Sequence, residues 1–177
     1  MNKPALVIVT GRPASGKTTL AHLLANELRC PLISRDELKE GYVNTLGAPH
    51  HQLDDSAAWH IYETFFAVIE LLLAKNISIV VEAAFQDRLW KQRLPALAAK
   101  TSVKVIICNL PFDLARQRFI QRRSSDAGRE KFHGDESFAK TYEPLSMNVP
   151  TLEVDTTQDY RPNMRNIIDF LLGNNGI

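Results

Sequence analysis

The sequence predicts an α/β protein with one parallel β-sheet that carries helices on both faces. Short runs of apolar, mostly β-branched residues alternate with segments whose apolar residues recur at helical spacing. The apolar runs are continuous rather than alternating with polar residues, so each is expected to be buried on both faces, as in a parallel sheet. This order of segments predicts about five strands in a single domain.

The individual elements follow from the same periodicities. The first helix is predicted from Leu20, Leu23, Leu24 and Leu28, which fall on one helical face. Further helices are predicted at residues 54–75, at residues 112–123 and in a closing segment that ends at Gly173. The predicted strands are residues 5–10, 31–34, 77–85, 102–110 and 151–157.

Length, charge and cysteine content limit the possible functions. The 177 residues suffice for one domain, which we place at residues 1–177. A formal net charge of +1 predicts no general attraction to nucleic acid or to membranes. The N-terminal apolar run is broken by Pro4, which argues against a signal peptide, and no run approaches the roughly 18 residues of a membrane span. The two cysteines are far apart and favour neither a disulfide nor a zinc site. We therefore expect a cytoplasmic protein.

The most specific motif follows the first predicted strand. Residues 11–18, GRPASGKT, fit the pattern G-x-x-x-x-G-K-[ST], and we call them the phosphate loop. Glycines let successive N–H groups face phosphate oxygens, and the following helix adds the positive end of its dipole. The lysine reaches the β- and γ-phosphates and the hydroxyl ligates Mg²⁺, so a nucleotide and Mg²⁺ are predicted. The predicted nucleotide-binding residues here are Gly11, Ala14, Ser15, Gly16, Lys17, Thr18 and Thr19.

Two acidic residues follow neighbouring strands, at the edge where open α/β sheets bind ligands. Asp36 could accept the proton of a hydroxyl group that attacks the γ-phosphate; alternatively, Ser34 or Asp36 only caps the next helix, and the two roles are compatible. Glu82 could serve Mg²⁺ or its water shell, or be a surface carboxylate at the strand end. If Glu82 is buried it needs a metal or a cation as partner, because an unpaired buried charge is costly.

An arginine-rich helix precedes a polar segment. Arg116, Arg118, Arg122 and Arg123 lie within eight residues, and guanidinium groups suit phosphate oxygens and transition-state charge. The alternative is a solvated basic face. The polar residues 124–137 could close over the site and exclude water, so we place a short lid at about residues 116–137.

The residues that contact the phosphate acceptor are less well defined. Trp59, Tyr62 and Phe66 belong either to the core or to an acceptor pocket on the helix that follows Asp36. The candidate acceptor-binding residues are Lys39, Trp59 and Phe85.

Together these motifs resemble the small AAA-type P-loop kinases. The resemblance rests on the segments VIVTGRPASGKTTLA, ISRDELK, VVEAAF, ARQRFIQRR and EVDTT, which follow one another along almost the whole chain. The group includes chloramphenicol phosphotransferase and the kinase domain of polynucleotide kinase, and is related to nucleoside-monophosphate kinases and zeta toxins. The resemblance implies a three-layer P-loop NTPase fold, a five-stranded parallel sheet of order 2-3-1-4-5, and ATP with Mg²⁺.

The resemblance also implies roles for single residues. It makes Asp36 the base, makes Arg118 and Arg122 the paired lid arginines that hold adenine and phosphates, and places Asp155 and Thr156 beside the adenine. The candidate catalytic residues are therefore Lys17, Asp36, Arg118 and Arg122. Two positions depart from the family: Lys39 stands where polynucleotide kinase has an arginine, and Glu82 stands where many relatives have aspartate.

Three functions compete for this set of motifs. The first is transfer of the γ-phosphate of ATP to a hydroxyl group of a small molecule, such as a metabolite, a nucleoside or an antibiotic. The second is a polynucleotide 5′-hydroxyl kinase, against which the near-zero net charge argues. The third is a nucleotide-dependent switch ATPase, which would leave Asp36 without a role. We expect the first function, while the motifs indicate neither the acceptor nor the oligomeric state.

Overall fold

The computed structural model describes residues 3–47, 54–84, 87–125 and 148–173, with only the backbone at residues 88 and 122–125. Within these residues the chain forms five strands and six helices. In chain order they are β1 (Ala5–Gly11), α1 (Lys17–Leu28), β2 (Leu32–Ser34), α2 (Arg35–Leu46), α3 (Asp55–Ala74), β3 (Ile79–Glu82), α4 (Asp87–Lys100), β4 (Ser102–Asn109), α5 (Phe112–Ser125), β5 (Thr151–Asp155) and α6 (Met164–Leu172).

The strands form one parallel sheet in the order β2-β3-β1-β4-β5, which confirms the predicted fold class and strand order. The central strand β1 pairs with β3 on one side, where Val9 lies opposite Glu82, and with β4 on the other, where Gly11 lies opposite Cys108. Because all strands are parallel, the end of β1, Glu82 of β3 and the start of α2 meet at one edge of the sheet.

Two hydrophobic clusters cover the two faces of the sheet. The first joins alternate residues of β1 and β3 to α3 and α4, through Leu6, Ile8, Val81, Phe65, Ile69, Trp90 and Leu94. The second joins the intervening strand residues to α1 and α6, through Val7, Val9, Val80, Leu20, Leu24, Ile167 and Leu171. Burial on both faces accounts for the continuous apolar runs in the sequence.

Several predicted details are wrong. Leu23 is 41% exposed, because Ala21 and Ala25 complete the buried face of α1 in its place. The core interpretation of Trp59 is also wrong: it is 53% exposed, and the first turns of α3 before Ile61 contain no buried residue. The third strand is shorter than predicted, Ile79–Glu82 instead of residues 77–85.

The sequence pattern does not delimit helix α4. It contains Pro95, a residue that normally interrupts a helix, and this weakens the pattern. Trp90, Leu94 and Leu97 are nevertheless buried at helical spacing, and they pack on the same cluster as α3.

Among the described residues, one helix is long and apolar enough to cross a membrane by length and composition alone, namely α3. Core helices meet the same criterion, and α3 contributes Ile61, Phe65, Phe66 and Ile69 to the buried core.

Candidate active site

The phosphate loop joins the end of β1 to the start of α1, as predicted. Gly11 has a φ of 151°, and a Cβ atom there would lie 2.5 Å from the Cys108 carbonyl oxygen and 2.6 Å from Ser15 Oγ. Gly16 and Ala14 have φ values of 80° and 61°, in the left-handed region. Glycine is therefore required at position 11 by close packing against β4, and favoured at position 16 by backbone conformation.

The first turn of α1 is suited to an anion. Its N-cap, Gly16, makes no side-chain hydrogen bond to the helix, and the turn contains no acidic residue. The first N–H groups of a helix have no acceptor within the helix, and the helix dipole favours negative charge there. Lys17, Thr18 and Thr19 begin this turn, so the residues present fit the phosphates of a nucleotide.

Behind this turn lies a buried ion pair. Lys17 Nζ is 3.5 Å from Glu82 Oε1, and Glu82 is fully buried. The other carboxylate oxygen, Oε2, accepts a hydrogen bond of 2.7 Å from Ser34 Oγ. Burial raises the pKa of Glu82, and the nearby Asp36 carboxylate adds to this, whereas Lys17 and the Ser34 hydrogen bond oppose it. The surface-carboxylate interpretation of Glu82 is therefore wrong, and its required cation partner is Lys17.

Ser34 and Asp36 have separate positions at the start of α2. Ser34 is the N-cap, and its Oγ accepts a hydrogen bond of 3.4 Å from the Glu37 N–H. Asp36 lies in the first helical turn, where its Oδ1 accepts a hydrogen bond of 2.9 Å from Arg35 Nη1. The cap interpretation thus holds for Ser34, and the role of Asp36 as a base stays a prediction.

On the other side of the loop, the segment after β5 packs directly against the phosphate loop. Thr156 is buried, and its Oγ1 donates a hydrogen bond of 2.7 Å to the Ser15 carbonyl. Arg118 of α5 donates to the carbonyl oxygens of Thr156 and Thr157, at 3.1 and 2.6 Å. Asp155 Oδ1 accepts a hydrogen bond from the Thr157 N–H. Hydrogen bonding from the Thr157 side chain, and secondly from this N–H, lowers the pKa of Asp155. Residues 155–157 and Arg118 therefore form one wall beside the phosphate loop.

These features agree with the comparison to known families. The sequence profile of a family described as AAA domain matches residues 6–143. The chain belongs to this family. No curated protein matches it.

Solved structures share the fold over nearly the whole chain. A candidate kinase from Chloroflexus aurantiacus J-10-fl is 28% identical, with a TM-score of 0.83 and coverage of 97% of this chain and 98% of that one. The APS kinase of Mycobacterium tuberculosis, solved with AMPPNP and APS, is 17% identical, with a TM-score of 0.67 and coverage of 97% and 99%. A gluconokinase from Sinorhizobium meliloti 1021 is 19% identical, with a TM-score of 0.62 and coverage of 98% and 94%. The chain thus has the fold of P-loop kinases.

The other predicted site residues are only partly placed. Lys39 is half-buried on α2, one turn after Arg35, and Trp59 is exposed on α3. Phe85, the Arg122 side chain and residues 126–137 of the predicted lid lie outside the described part of the structure. The structure therefore brings together Lys17, Ser34, Asp36 and Glu82 on one side, and Ser15, Arg118 and Thr156 on the other.

Sequence reasoning missed one contact next to Asp36. The Arg35 guanidinium carbon lies 4.6 Å from the centroid of the Tyr62 ring on α3. The only local signal was the position of Arg35 beside Asp36, since the pairing with Tyr62 depends on how α2 packs against α3.

In the part of the chain that the structure describes, no group of three or more His, Cys, Asp and Glu side chains is arranged to hold a metal. Mg²⁺ in nucleotide sites takes few protein ligands and depends largely on phosphates and water. Thr18 begins α1 beside the ion-paired Lys17, and Glu82 Oε1 accepts no hydrogen bond from the described residues. A hydroxyl and a carboxylate oxygen are therefore present for an ion that arrives with a nucleotide.

Proposed function

We propose that the protein transfers the γ-phosphate of ATP to a hydroxyl group of a small molecule, with Asp36 as the base. One observation carries this proposal: the Ser34 hydroxyl links Glu82, the ion-pair partner of Lys17, to the N-terminus of the helix that bears Asp36. This link supports the proposal because it connects the start of α2 to the ion pair at the phosphate loop, where a base for an attacking hydroxyl is needed. A switch ATPase would instead use a residue at this place to orient water.

The donor half of the proposed reaction uses the phosphate loop. The loop backbone and the start of α1 bind the phosphates, and Lys17 contacts the β- and γ-phosphates next to its partner Glu82. When bound, Mg²⁺ would be held by Thr18 and Glu82, and would offset the negative charge of the phosphates. Arg118 orders the backbone of residues 156–157 beside the nucleotide, and Arg122 contacts the transferring phosphate.

The acceptor half uses α2. The acceptor oxygen attacks the γ-phosphorus in line while the bond from that phosphorus to the bridging oxygen of ADP breaks. The hydroxyl proton passes to the Asp36 carboxylate, so a phosphate ester, ADP and a protonated Asp36 result. Lys39, Trp59 and Phe85 remain the proposed acceptor contacts.

Two further observations support a small acceptor. The formal net charge of +1 argues against the many phosphate contacts that a polynucleotide requires. Structural neighbours that cover nearly the whole chain are named as kinases of gluconate and of APS, both small molecules.

Labelled ATP incubated with a panel of hydroxyl compounds, nucleosides and oligonucleotide 5′ ends tests the proposal. We expect transfer to a small acceptor, and an Asp36→Asn variant that loses about 10²–10⁴-fold in transfer while keeping its ATP affinity. Glu37→Gln is the matched control, because Glu37 is the adjacent carboxylate and pairs with exposed His22. ATP hydrolysis that no acceptor changes would indicate a switch ATPase, and transfer by Asp36→Asn within about threefold of the original rate would exclude Asp36 as the base.

A further inference from the structure

Arg35 is held in an unusual position for a structural arginine. It is the first residue of α2, directly before Asp36, and its side chain is 18% exposed. Its guanidinium lies over the Tyr62 ring, and Nη1 donates to Asp36 Oδ1. The Nε atom is buried, and no described residue accepts a hydrogen bond from it.

A second arginine, Arg93, is an example of a guanidinium that pairs with more than one carboxylate. Arg93 of α4 lies 5.3 Å from the ring centroid of Phe66, also on α3. Its Nη2 donates to both oxygens of Glu63, at 2.7 and 2.9 Å, and its Nη1 donates to Glu70 at 3.3 Å. Arg93 therefore has two carboxylate partners on α3, which explains it as a clamp between two helices.

The pairing of Arg35 is less complete than that of Arg93. A guanidinium has five N–H donors, and leaving a buried donor without an acceptor is unfavourable. The carboxylate that Arg35 does contact is Asp36, which the proposed reaction uses as the base. A second anion beside Asp36 would supply a further acceptor for this guanidinium, whose Nε has none among the described residues.

We propose that Arg35 binds an anionic group of the phosphate acceptor, a carboxylate or a phosphate, and so selects a negatively charged hydroxyl compound. This inference rests on the phosphotransferase function proposed above. The flat guanidinium, kept in place by the Tyr62 ring, suits the two oxygens that both kinds of anion present. Lys39 lies four residues further along α2 and hence on the same helical face, so it adds a cation beside this subsite.

The first experiment compares matched acceptors with labelled ATP. Polyhydroxy carboxylic acids, the corresponding neutral alditols, and sugar phosphates form three arms, of which the first and third separate the two sources of negative charge. We expect a KM at least about tenfold lower for a member of one anionic arm than for its neutral counterpart.

The second experiment replaces Arg35. Arg35→Gln is expected to raise the KM for the anionic acceptor by about 10- to 100-fold, with the KM for ATP and for the neutral counterpart within about twofold. Arg35→Lys should recover part of the loss, because it keeps the charge but not the planar fork. Arg93→Gln is the matched control: it removes the other ring-stacked arginine at α3 and should lower Tm without changing the acid-to-neutral preference.

The outcomes separate this inference from the proposed function. Transfer to neutral members alone would overturn the anionic subsite and leave the phosphotransferase function intact. An equal loss by Arg35→Gln on charged and neutral acceptors would assign Arg35 to the positioning of Asp36 instead. Hydrolysis of ATP without transfer to any arm would overturn the proposed function and this inference with it.

Discussion

The two sides of the candidate site are built in different ways. The donor side, by which we mean the phosphate loop and residues 155–157, has buried polar residues at its centre: Ser15, Lys17 and Thr156 are 0%, 7% and 6% exposed. On the acceptor side, by which we mean α2 and the part of α3 that contacts it, the Arg35 and Asp36 side chains are 18% and 31% exposed.

The two sides also differ in what does the binding. The donor side depends on backbone, since Gly11 packs against the Cys108 carbonyl and Thr156 bonds to the Ser15 carbonyl. The acceptor side depends on side chains of two helices. A nucleotide site made of backbone can stay the same while side chains change, which explains how one fold serves kinases of different acceptors.

The largest combined effect on turnover and stability is expected at Lys17, which lies on the donor side and pairs with Glu82, the hydrogen-bond partner of Ser34. Lys17→Met removes the proposed phosphate contact and the cation beside Glu82, so turnover should fall about 10²- to 10³-fold. The free energy of unfolding should fall by roughly 3 kcal/mol, because Glu82 remains buried without its partner.

The pH dependence of that loss has a defined sign. Burial already raises the folded-state pKa of Glu82, and removing Lys17 raises it further, so the variant is more stable below this pKa and loses stability as pH rises through it. Thermal denaturation should therefore show a smaller loss in mildly acidic than in mildly alkaline buffer. Lys75→Met, at an exposed lysine after α3, is the control. Turnover of Lys17→Met within about threefold of the original would contradict the phosphate contact.

The next largest effect is expected at the connection between the two sides. Ser34→Ala removes the hydroxyl that donates to Glu82 and caps α2, which should cost about 1–2 kcal/mol in unfolding free energy and lower the transfer rate. Asp54→Ala removes the N-cap of α3 without contacting Glu82, so a similar loss of stability with unchanged transfer is expected. Equal transfer rates in both variants would show that the hydrogen bond from Ser34 to Glu82 does not affect transfer, and that Ser34 acts only as the cap of α2.

The donor side could be predicted from sequence because its geometry is encoded locally. The phosphate loop needs particular residues at fixed spacing, and it lies between β1 and α1 as the motif predicts. The strand order, which the family resemblance implies, was confirmed as well. Glu82 could be placed at the end of its strand, although its burial and its pairing with Lys17 required the structure.

The acceptor side could not be predicted to the same extent. The contact between Arg35 and Tyr62 joins two helices, and no local pattern encodes how they pack. Helical periodicity treats the whole of α3 alike, so it could not show that Trp59 lies where the helix buries no residue. The Asp36 and Arg122 roles stay predictions.

A smaller and more selective effect is expected on the donor side alone. Thr156→Val keeps the shape of the side chain but removes its hydrogen bonds to the Ser15 and Asn109 carbonyls. ATP should bind about fivefold more weakly, since the bond to Ser15 in the phosphate loop contributes about 1 kcal/mol, and the KM of the acceptor should not change. Thr101→Val is the control, because it removes a buried hydroxyl bond to Leu97 that lies outside the candidate site. An increase in the acceptor KM equal to that for ATP would contradict the separation of the two sides.

The smallest effect is expected at the exposed end of the donor side. Asp155→Asn keeps an oxygen that can accept from the Thr157 N–H and removes the charge of an exposed carboxyl. Because the folded-state pKa of Asp155 is lowered, its charge contributes stability above the unfolded-state pKa, and this contribution disappears as pH falls through the folded-state value. Denaturation curves should thus differ slightly at neutral pH and converge in acid. If Asp155→Asn weakened ATP binding as much as Thr156→Val, charge rather than buried backbone contacts would order residues 155–157.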